Sequence, residues 1–343
     1  MKTTLNLLLL VCLVGCSQSP QRVSFDETAQ AASKVLSEAL VSMPMDIKKV
    51  HNILYISDFS RDSLLHCYDL SKQSFVRKML PQGQGANEFL SPIEYFFSDS
   101  TLFIHNRWHF TAQEYVFHET DFSIEPAKEK FHLPQSVDRI IPVNKGRYMA
   151  SGVFEDCRFQ LLDAAGKCIA KYGDFPSYQD GEEKIPYTAK AMFHQLQLGY
   201  NGALDRLAAV SSNVLEIWEN ASDELALRKR LLLAPYHYKF EESPDGVYAA
   251  NDNPDAELGA RGIAVTDRYV YVLYNPNTYR AHDERTENRN SEIWVFDWEG
   301  EPVRKILTDT RIECLYVDKD DAQFYCVMSA PDFCVGTLEL LNE

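Results

Sequence analysis

The sequence predicts an all-β fold, a six-bladed β-propeller of four-stranded antiparallel blades, and three observations carry that prediction. Short apolar or alternating runs recur along the whole chain, at Ile53–Ile56, Thr101–Ile104, Arg147–Ala150, Arg206–Val210, Tyr269–Leu273 and Gln323–Val327. Each is bounded by turn residues such as Ser57-Asp58, Ser151-Gly152 or Asn275-Pro276, which marks strands rather than helices. The units return every 40 to 60 residues or so, roughly what a four-stranded blade needs.

Downstream of each run comes a second element. Tyr68-Asp69, Leu162-Asp163 and Phe296-Asp297 each end an apolar stretch on an aspartate turn, with Trp218-Glu219 and Thr120-Asp121 as weaker copies. Asp accepts bonds from backbone amides ahead of it and Gly takes the left-handed position, so these are tight hairpins. A further strand follows, as in Phe75–Leu80 and Pro302–Leu307. The last unit, Cys334–Leu340, lacks an outermost strand, and Ser33–Val41 has no blade of its own. A strand from the N-terminal segment is therefore expected to close the ring and remove the free edge. The competing reading of Thr28–Leu40, from its Ala and Glu content, is a short amphipathic helix.

The first fifteen residues read as an export signal: Lys2, then an apolar core from Leu5 to Val14 that is too short to span a bilayer. Leu13-Val14-Gly15-Cys16 resembles the bacterial lipobox, which makes Cys16 the lipid-bearing residue; an ordinary secreted protein is the alternative. The expected organisation is a signal over 1–15, a lipid anchor and polar tether over 16–22, and the propeller over 23–343. No acidic residue stands just after Cys16, so the expected address is the cell envelope, anchored in the outer membrane and facing the periplasm. The net charge of −16 repels phosphate backbones and excludes nucleic acid as a partner. Apart from Cys12 and Cys16, the cysteines are Cys67, Cys157, Cys168, Cys314, Cys326 and Cys334. Most lie in apolar strand runs without a Cys-x-x-Cys, so mostly free buried thiols are expected. Cys326 and Cys334 are the pair that a hairpin would bring together.

With the lipobox, the segment Gln82–Phe89 and the stretch Ile293–Val303 in view, the chain resembles the TolB-like six-bladed propeller lipoproteins of Bacteroides-type bacteria. The resemblance implies a fold and an address, and brings no agreed catalytic motif.

Chemistry has to be sought in position. The innermost strand of each blade lines a propeller's channel, and Glu94, Asp138, His194, Arg261 and Glu313 are each expected to begin such a strand. Convergent carboxylates with histidine and arginine suit a cation or a small polar ligand. The ring is similar to the one with which six-bladed lactonases hold calcium. The plainer reading is a set of charges solvating a watery channel. A second candidate is the loop from Tyr274 to Ser291, where Tyr279 and Arg280 offer an aromatic face beside a planar donor; a solvated hairpin tip competes with it.

Other patterns carry less. Gly83-Gln84-Gly85 lacks the third glycine of a dinucleotide fingerprint. Asn251–Glu257 alternates oxygen ligands but lacks the turn glycine and terminal glutamate of a calcium loop, so a solvated acidic loop is expected. His105 and His109 have no second pair to form a metal site with, and read as exposed or edge histidines. Common hydrolase signatures are absent. No catalytic residue and no cofactor is assigned, and the calcium question stays open.

Two functions compete: a non-catalytic binding or scaffold module for a glycan, peptide, partner protein or other polar ligand, and a calcium-dependent hydrolase or lyase using channel carboxylates. The lipobox makes one direct prediction. Cys16→Ala should block lipid labelling and move the protein from the membrane to the soluble fraction; a variant still bound to membranes would place the anchor elsewhere.

Overall fold

The computed structural model describes residues 22–38, 41–59, 62–85, 87–98, 100–221, 224–244, 246–329 and 332–341. The expected export signal, Cys16 and the expected tether to residue 21 lie outside the described residues. Arg22, the end of the expected tether, is tied down: its guanidinium donates to Glu257 Oε2 at 2.5 Å and to Tyr274 Oη at 3.1 Å. No helix among the described residues is long and apolar enough to cross a membrane.

The chain is almost wholly strand. It opens with β1 (Thr28–Glu38). The first sheet is β2 (Pro44–Val50), β3 (Ile53–Asp58), β4 (Ser63–Asp69) and β5 (Ser74–Pro81), paired in that order. The second is β6 (Ile93–Ser98), β7 (Thr101–Asn106) and β8 (Thr111–His118), with β9 (Ser123–Pro126) and β10 (Phe131–His132) both against β8. The third is β11 (Val137–Val143), β12 (Arg147–Gly152), β13 (Phe159–Leu162) and β14 (Cys168–Tyr172). An insertion carrying α1 (Tyr187–Phe193) leads to the fourth: β15 (Leu196–Asn201), β16 (Arg206–Ser211), β17 (Val214–Ala221) and β18 (Glu224–Leu232). A separate hairpin, β19 (Tyr238–Ser243) and β20 (Gly246–Asn251), follows, and α1 packs on β20.

The expected aspartate turns build the hairpins. Asp69 Oδ1 accepts from the amides of Ser71 and Lys72, Asp163 Oδ1 from Ala165 and Lys167, and Asp297 Oδ1 from Glu299 and Glu301. Gly166 and Gly300 take the left-handed conformation at φ 78° and 81°. Trp218-Glu219 is no turn, since β17 runs on to Ala221.

The remaining strands are β21 (Glu257–Val265), β22 (Tyr269–Thr278), β23 (Glu292–Asp297), β24 (Pro302–Thr308), β25 (Ile312–Val317), β26 (Phe324–Ser329) and β27 (Phe333–Leu341), with α2 (Tyr279–Asp283) after β22. Here the expectation of six separate blades is corrected. Four sheets are freestanding blades, but the last seven strands and β1 form one continuous eight-stranded sheet, β21-β22-β23-β24-β1-β27-β26-β25. The cause is β1, which is a strand and not a helix. It pairs antiparallel with β27 from Gln30↔Leu341 to Glu38↔Cys334, and parallel with β24 from Thr28↔Lys305 to Ala31↔Thr308. The end strands β21 and β25 lie side by side, so the sheet curls back towards closure around a core that includes Ala31, Leu273, Val295, Ile306, Phe324 and Leu338.

Cores of the same kind lie between neighbouring sheets. Phe103 stacks on Tyr148 at 4.9 Å between the second and third, and Phe159 meets Trp218 edge-on at 5.3 Å between the third and fourth. Each such aromatic pair adds about 1 kcal/mol beyond its burial. The first strands face the centre: β6 lies beside β11, β11 beside β15, β15 beside β21, β21 beside β25 and β25 beside β2. Their walls enclose the channel. The six cysteines among the described residues are all unpaired, and Cys326 and Cys334 are out of register, facing Gly336 and Met328 respectively.

Ala31 is buried and hydrogen-bonded on both sides, opposite Thr308 and Leu340. Ala31→Asp, which would bury an unpaired carboxylate there, should lower unfolding stability by about 3 kcal/mol in urea denaturation. The exposed Leu341→Asp should change it by less than about 0.5 kcal/mol.

Candidate functional site

The channel mouth is shaped by irregular pairing at the start of the inner strands. The ladder register of β2, β11, β21 and β25 is interrupted, and Met45, Asp138, Arg261 and Glu313 are among the residues that stand outside it. Such bulges bend a strand and re-aim a side chain. Around the mouth, Met45, Arg139, Gln195, Gln197, Arg261 and Glu313 line a cavity of about 300 Å³. Deeper in the channel, Asp46, Lys48, Ser57, Glu94, Arg139 and Gln197 line a narrower space of about 90 Å³.

The structure distributes the five expected channel residues unequally. Glu94, second in β6, lies in the channel interior and is fully engaged. Its Oε1 accepts from Arg139 at 2.8 Å, and its Oε2 from the Ile140 amide at 3.0 Å and His105 Nδ1 at 3.1 Å. Burial works against its ionisation, but Arg139 and His105 outweigh burial and hold the carboxyl at about 2. His105 is thus buried, not an exposed or edge residue. Asp138 pairs with Arg107 and lies 3.7 Å from Arg139 Nε. Glu313 accepts from Ser329 Oγ at 2.8 Å and lies 3.2 Å from Arg311 Nε. Arg261 stands fifth in β21, and among the described residues no side-chain hydrogen bond occupies its guanidinium.

His194 lies outside the channel, between α1 and β15, in a buried polar network. Its Nε2 is 3.2 Å from Glu182 Oε1, and both side chains are shut off from solvent. Glu182 also accepts from the amides of Tyr178 and Gln179 and from the hydroxyls of Tyr236 and Tyr238, at 2.8 to 3.2 Å. Burial alone would raise its pKa; the His194 and Gln179 hydrogen bonds lower it overall. Burial pushes the His194 pKa below its ordinary value, Glu182 opposing. Next to it, Arg158 Nε donates to Glu216 Oε2 at 2.5 Å, and Arg230 Nε to Glu216 Oε1 at 2.8 Å.

The expected recognition loop is mostly ordered structure: β22 continues to Thr278, whose hydroxyl caps α2 by accepting from the Ala281 amide. Arg280 is held by Asp255 at 2.8 and 3.2 Å. Tyr279 is half-buried, which raises its pKa, and lies close enough to Arg261 to feel its charge. The acids of 251–257 diverge. Asp252 meets His237 and Lys239, Asp255 meets Arg280, and Glu257 meets Arg22. Gly83-Gln84-Gly85 is a turn closed by Glu88, whose carboxylate accepts from the Gly85 amide at 2.7 Å. Among the described residues, no three His, Cys, Asp or Glu side chains are grouped as metal ligands.

Sequence reasoning missed Arg139, Glu182, Arg158 and Glu216. The last two carried a signal: each is a lone charge inside an apolar strand run, Cys157–Leu161 and Val214–Trp218, where an unpaired charge would be prohibitive.

A model of the family described as TolB-like 6-blade propeller-like matches residues 24–320. Its blade number is the one corrected above for this chain. None of the curated proteins matches the sequence. A solved Bacteroides fragilis protein, described as a candidate exported protein, is 13% identical at a TM-score of 0.56, with 92% of this chain and 99% of that one covered. The Cps50 (Swd1) β-propeller domain of Myceliophteria thermophila is 10% identical at 0.55, covering 90% and 100%. At such identities the likeness is one of fold.

The Glu94 cluster generates a pH prediction. An unperturbed glutamate titrates at 4.5 and the folded Glu94 at about 2, so its contribution is complete above pH 4.5 and disappears as pH falls towards 2. Glu94→Gln should cost about 3 kcal/mol at pH 7, where Arg139 loses its counter-charge. The gap between variant and parent should narrow steadily in urea denaturation series from pH 5 to pH 2.5. A gap that stays constant would show that the carboxylate charge contributes nothing.

Proposed function

The chain belongs to the TolB-like 6-blade propeller-like family, and from that premise we propose that it is a non-catalytic binding propeller whose channel mouth takes a small polar ligand. One observation carries this reading: bulges bring Arg261 and Glu313 to a cavity of about 300 Å³, and the Arg261 guanidinium keeps its donors free of side-chain partners among the described residues. Gln195, Gln197 and Arg139 complete a polar lining. A concave site with a few convergent polar groups is the usual form of a small-ligand site. An acceptor-rich or carboxylated ligand suits Arg261, whose planar fork binds such groups in pairs of bonds. A glycan end or a peptide terminus meets that description. Tyr279, beside Arg261, extends the same edge.

The proposed setting is the cell envelope, with lipid on Cys16 anchoring the protein in the outer membrane on the periplasmic side. The alternative, a calcium-dependent hydrolase built on channel carboxylates, draws no support from the geometry. Glu94 is committed to Arg139 and His105, Asp138 to Arg107, and Glu313 to Arg311 and Ser329.

Purified protein should be screened by calorimetry against uronic acids, neutral glycans and short peptides. Arg261→Ala should weaken the resulting binding at least tenfold, about 1.4 kcal/mol or more, while Arg280→Ala, already satisfied by Asp255, should leave it unchanged. Binding indifferent to Arg261→Ala would remove the mouth as the site. Calcium-dependent turnover lost in Glu94→Gln would replace the non-catalytic reading.

A further inference from the structure

Behind the channel mouth lies a second, smaller cavity of about 10 Å³, room for one water-sized occupant. Gln195 and Leu196 line both spaces. Two buried polar side chains meet here. Arg158 is 1% exposed, and neither of its terminal nitrogens finds a hydrogen-bond acceptor among the described residues. His194 is 2% exposed, and its Nδ1 is likewise unpartnered. Both line this cavity, together with Ser151, Gly152 and Asp138.

The protonation pattern follows from the partners. Glu182 is held as a carboxylate by two amides and two tyrosine hydroxyls, so His194 Nε2 must carry the proton that it donates to Glu182. In neutral His194, Nδ1 is then a bare lone pair in the wall of a cavity that Arg158 also lines. Glu216 is one negative charge shared by Arg158 and Arg230. The cluster of Arg158, Arg230, Glu216 and Glu182 therefore sums to zero. It would remain at zero if one proton and one monovalent anion entered together: the proton on Nδ1 and the anion between Nδ1–H and the Arg158 terminal nitrogens. We propose that this cavity binds a monoanion of halide size, taken up with a proton on His194 Nδ1. This is a site beyond the mouth and independent of its ligand.

The groups around His194 bear this out from each side. Glu182 lies on the turn before α1, while Tyr236 and Tyr238 come from the hairpin side. Arg158 and, beyond it, Glu216 and Arg230 come from the third and fourth sheets. Asp138 is spent on Arg107, and Lys190, on α1, turns to the Tyr187 ring. Phe175 and Phe193 close the remainder. Without an anion, burial keeps His194 neutral near pH 7, so uptake has to draw the proton from solvent.

The test titrates the intact protein with sodium bromide against sodium gluconate at constant ionic strength, at pH 6.0, 7.0 and 8.0, following the melting temperature. Bromide should stabilise saturably, with the half-saturating concentration rising by up to about tenfold per pH unit as pH increases. His194→Gln, which keeps a donor towards Glu182 but has no proton to gain, should remove the pH dependence. Arg158→Gln should abolish the bromide response. Should that variant fail to fold, the bromide anomalous peak in crystals of the parent protein decides, and it must lie beside Arg158. No bromide-specific stabilisation at any of the three pH values, or a peak elsewhere, would overturn the site. A response equal at all pH values in both parent and His194→Gln would overturn the proton coupling.

Discussion

Hydrogen bonds from β1 to two neighbours at once are the constraint on which the architecture turns. An open strand edge presents a row of unpaired amides and carbonyls and invites pairing with other chains. The outer edges of the freestanding sheets are blunted by charge, with Arg77 and Lys78 on β5 and Arg228, Lys229 and Arg230 on β18. The edges of β24 and β27 are instead covered, both by β1. Where the parallel pairing with β24 stops, Asp309 takes over by accepting from the Ser33 amide at 2.9 and 3.1 Å. Each backbone bond contributes only about 1 kcal/mol net, but losing the strand would open two edges together.

Polar burial holds the mouth in place much as β1 holds the sheets. Leu196 and Gln195 form part of its wall, and both follow directly on His194. The insertion that carries His194 is fastened to the hairpin by Gln179, which donates to the Tyr238 carbonyl and accepts from its amide. Phe193 stacks on Tyr238 at 4.0 Å. Because a buried charge that loses its partner costs several kcal/mol, the Glu182 and Glu216 networks tolerate little drift. The wall of the mouth is accordingly more rigid than a loop between two strands would be.

The strands were legible because alternation and the aspartate turns at Asp69, Asp163 and Asp297 act over a few residues. The sheet count was not. Thr28–Glu38 has a composition that suits a helix, and its pairing with β24 joins positions some 277 residues apart, as in Thr28↔Lys305. Nothing local announces such a contact. In the channel, an inner-strand position is readable for Glu94 or Glu313, but the bulge that turns Asp138 towards Arg107 while Arg139 enters the channel is invisible in a residue string. Arg158 and Glu216 each stand as a lone charge in an apolar run, but they lie 58 residues apart and nothing local pairs them.

The unpaired cysteines carry a consequence for the chemistry of the folded chain. A thiol attacks oxidants and disulfides as its thiolate. Burial raises Cys67 to about 12 and Cys157 to about 11, and pushes Cys314 and Cys326 up as well. At pH 7 the buried Cys67 is therefore held as the unreactive thiol, and its sheet denies reagents access to it. Modification must wait until a strand opens. Cys67 sits in the first sheet, Cys157 beside the third, and Cys314, Cys326 and Cys334 in the eight-stranded sheet. Their rates of alkylation therefore act as separate clocks for the opening of separate sheets, built into the native chain without any label added.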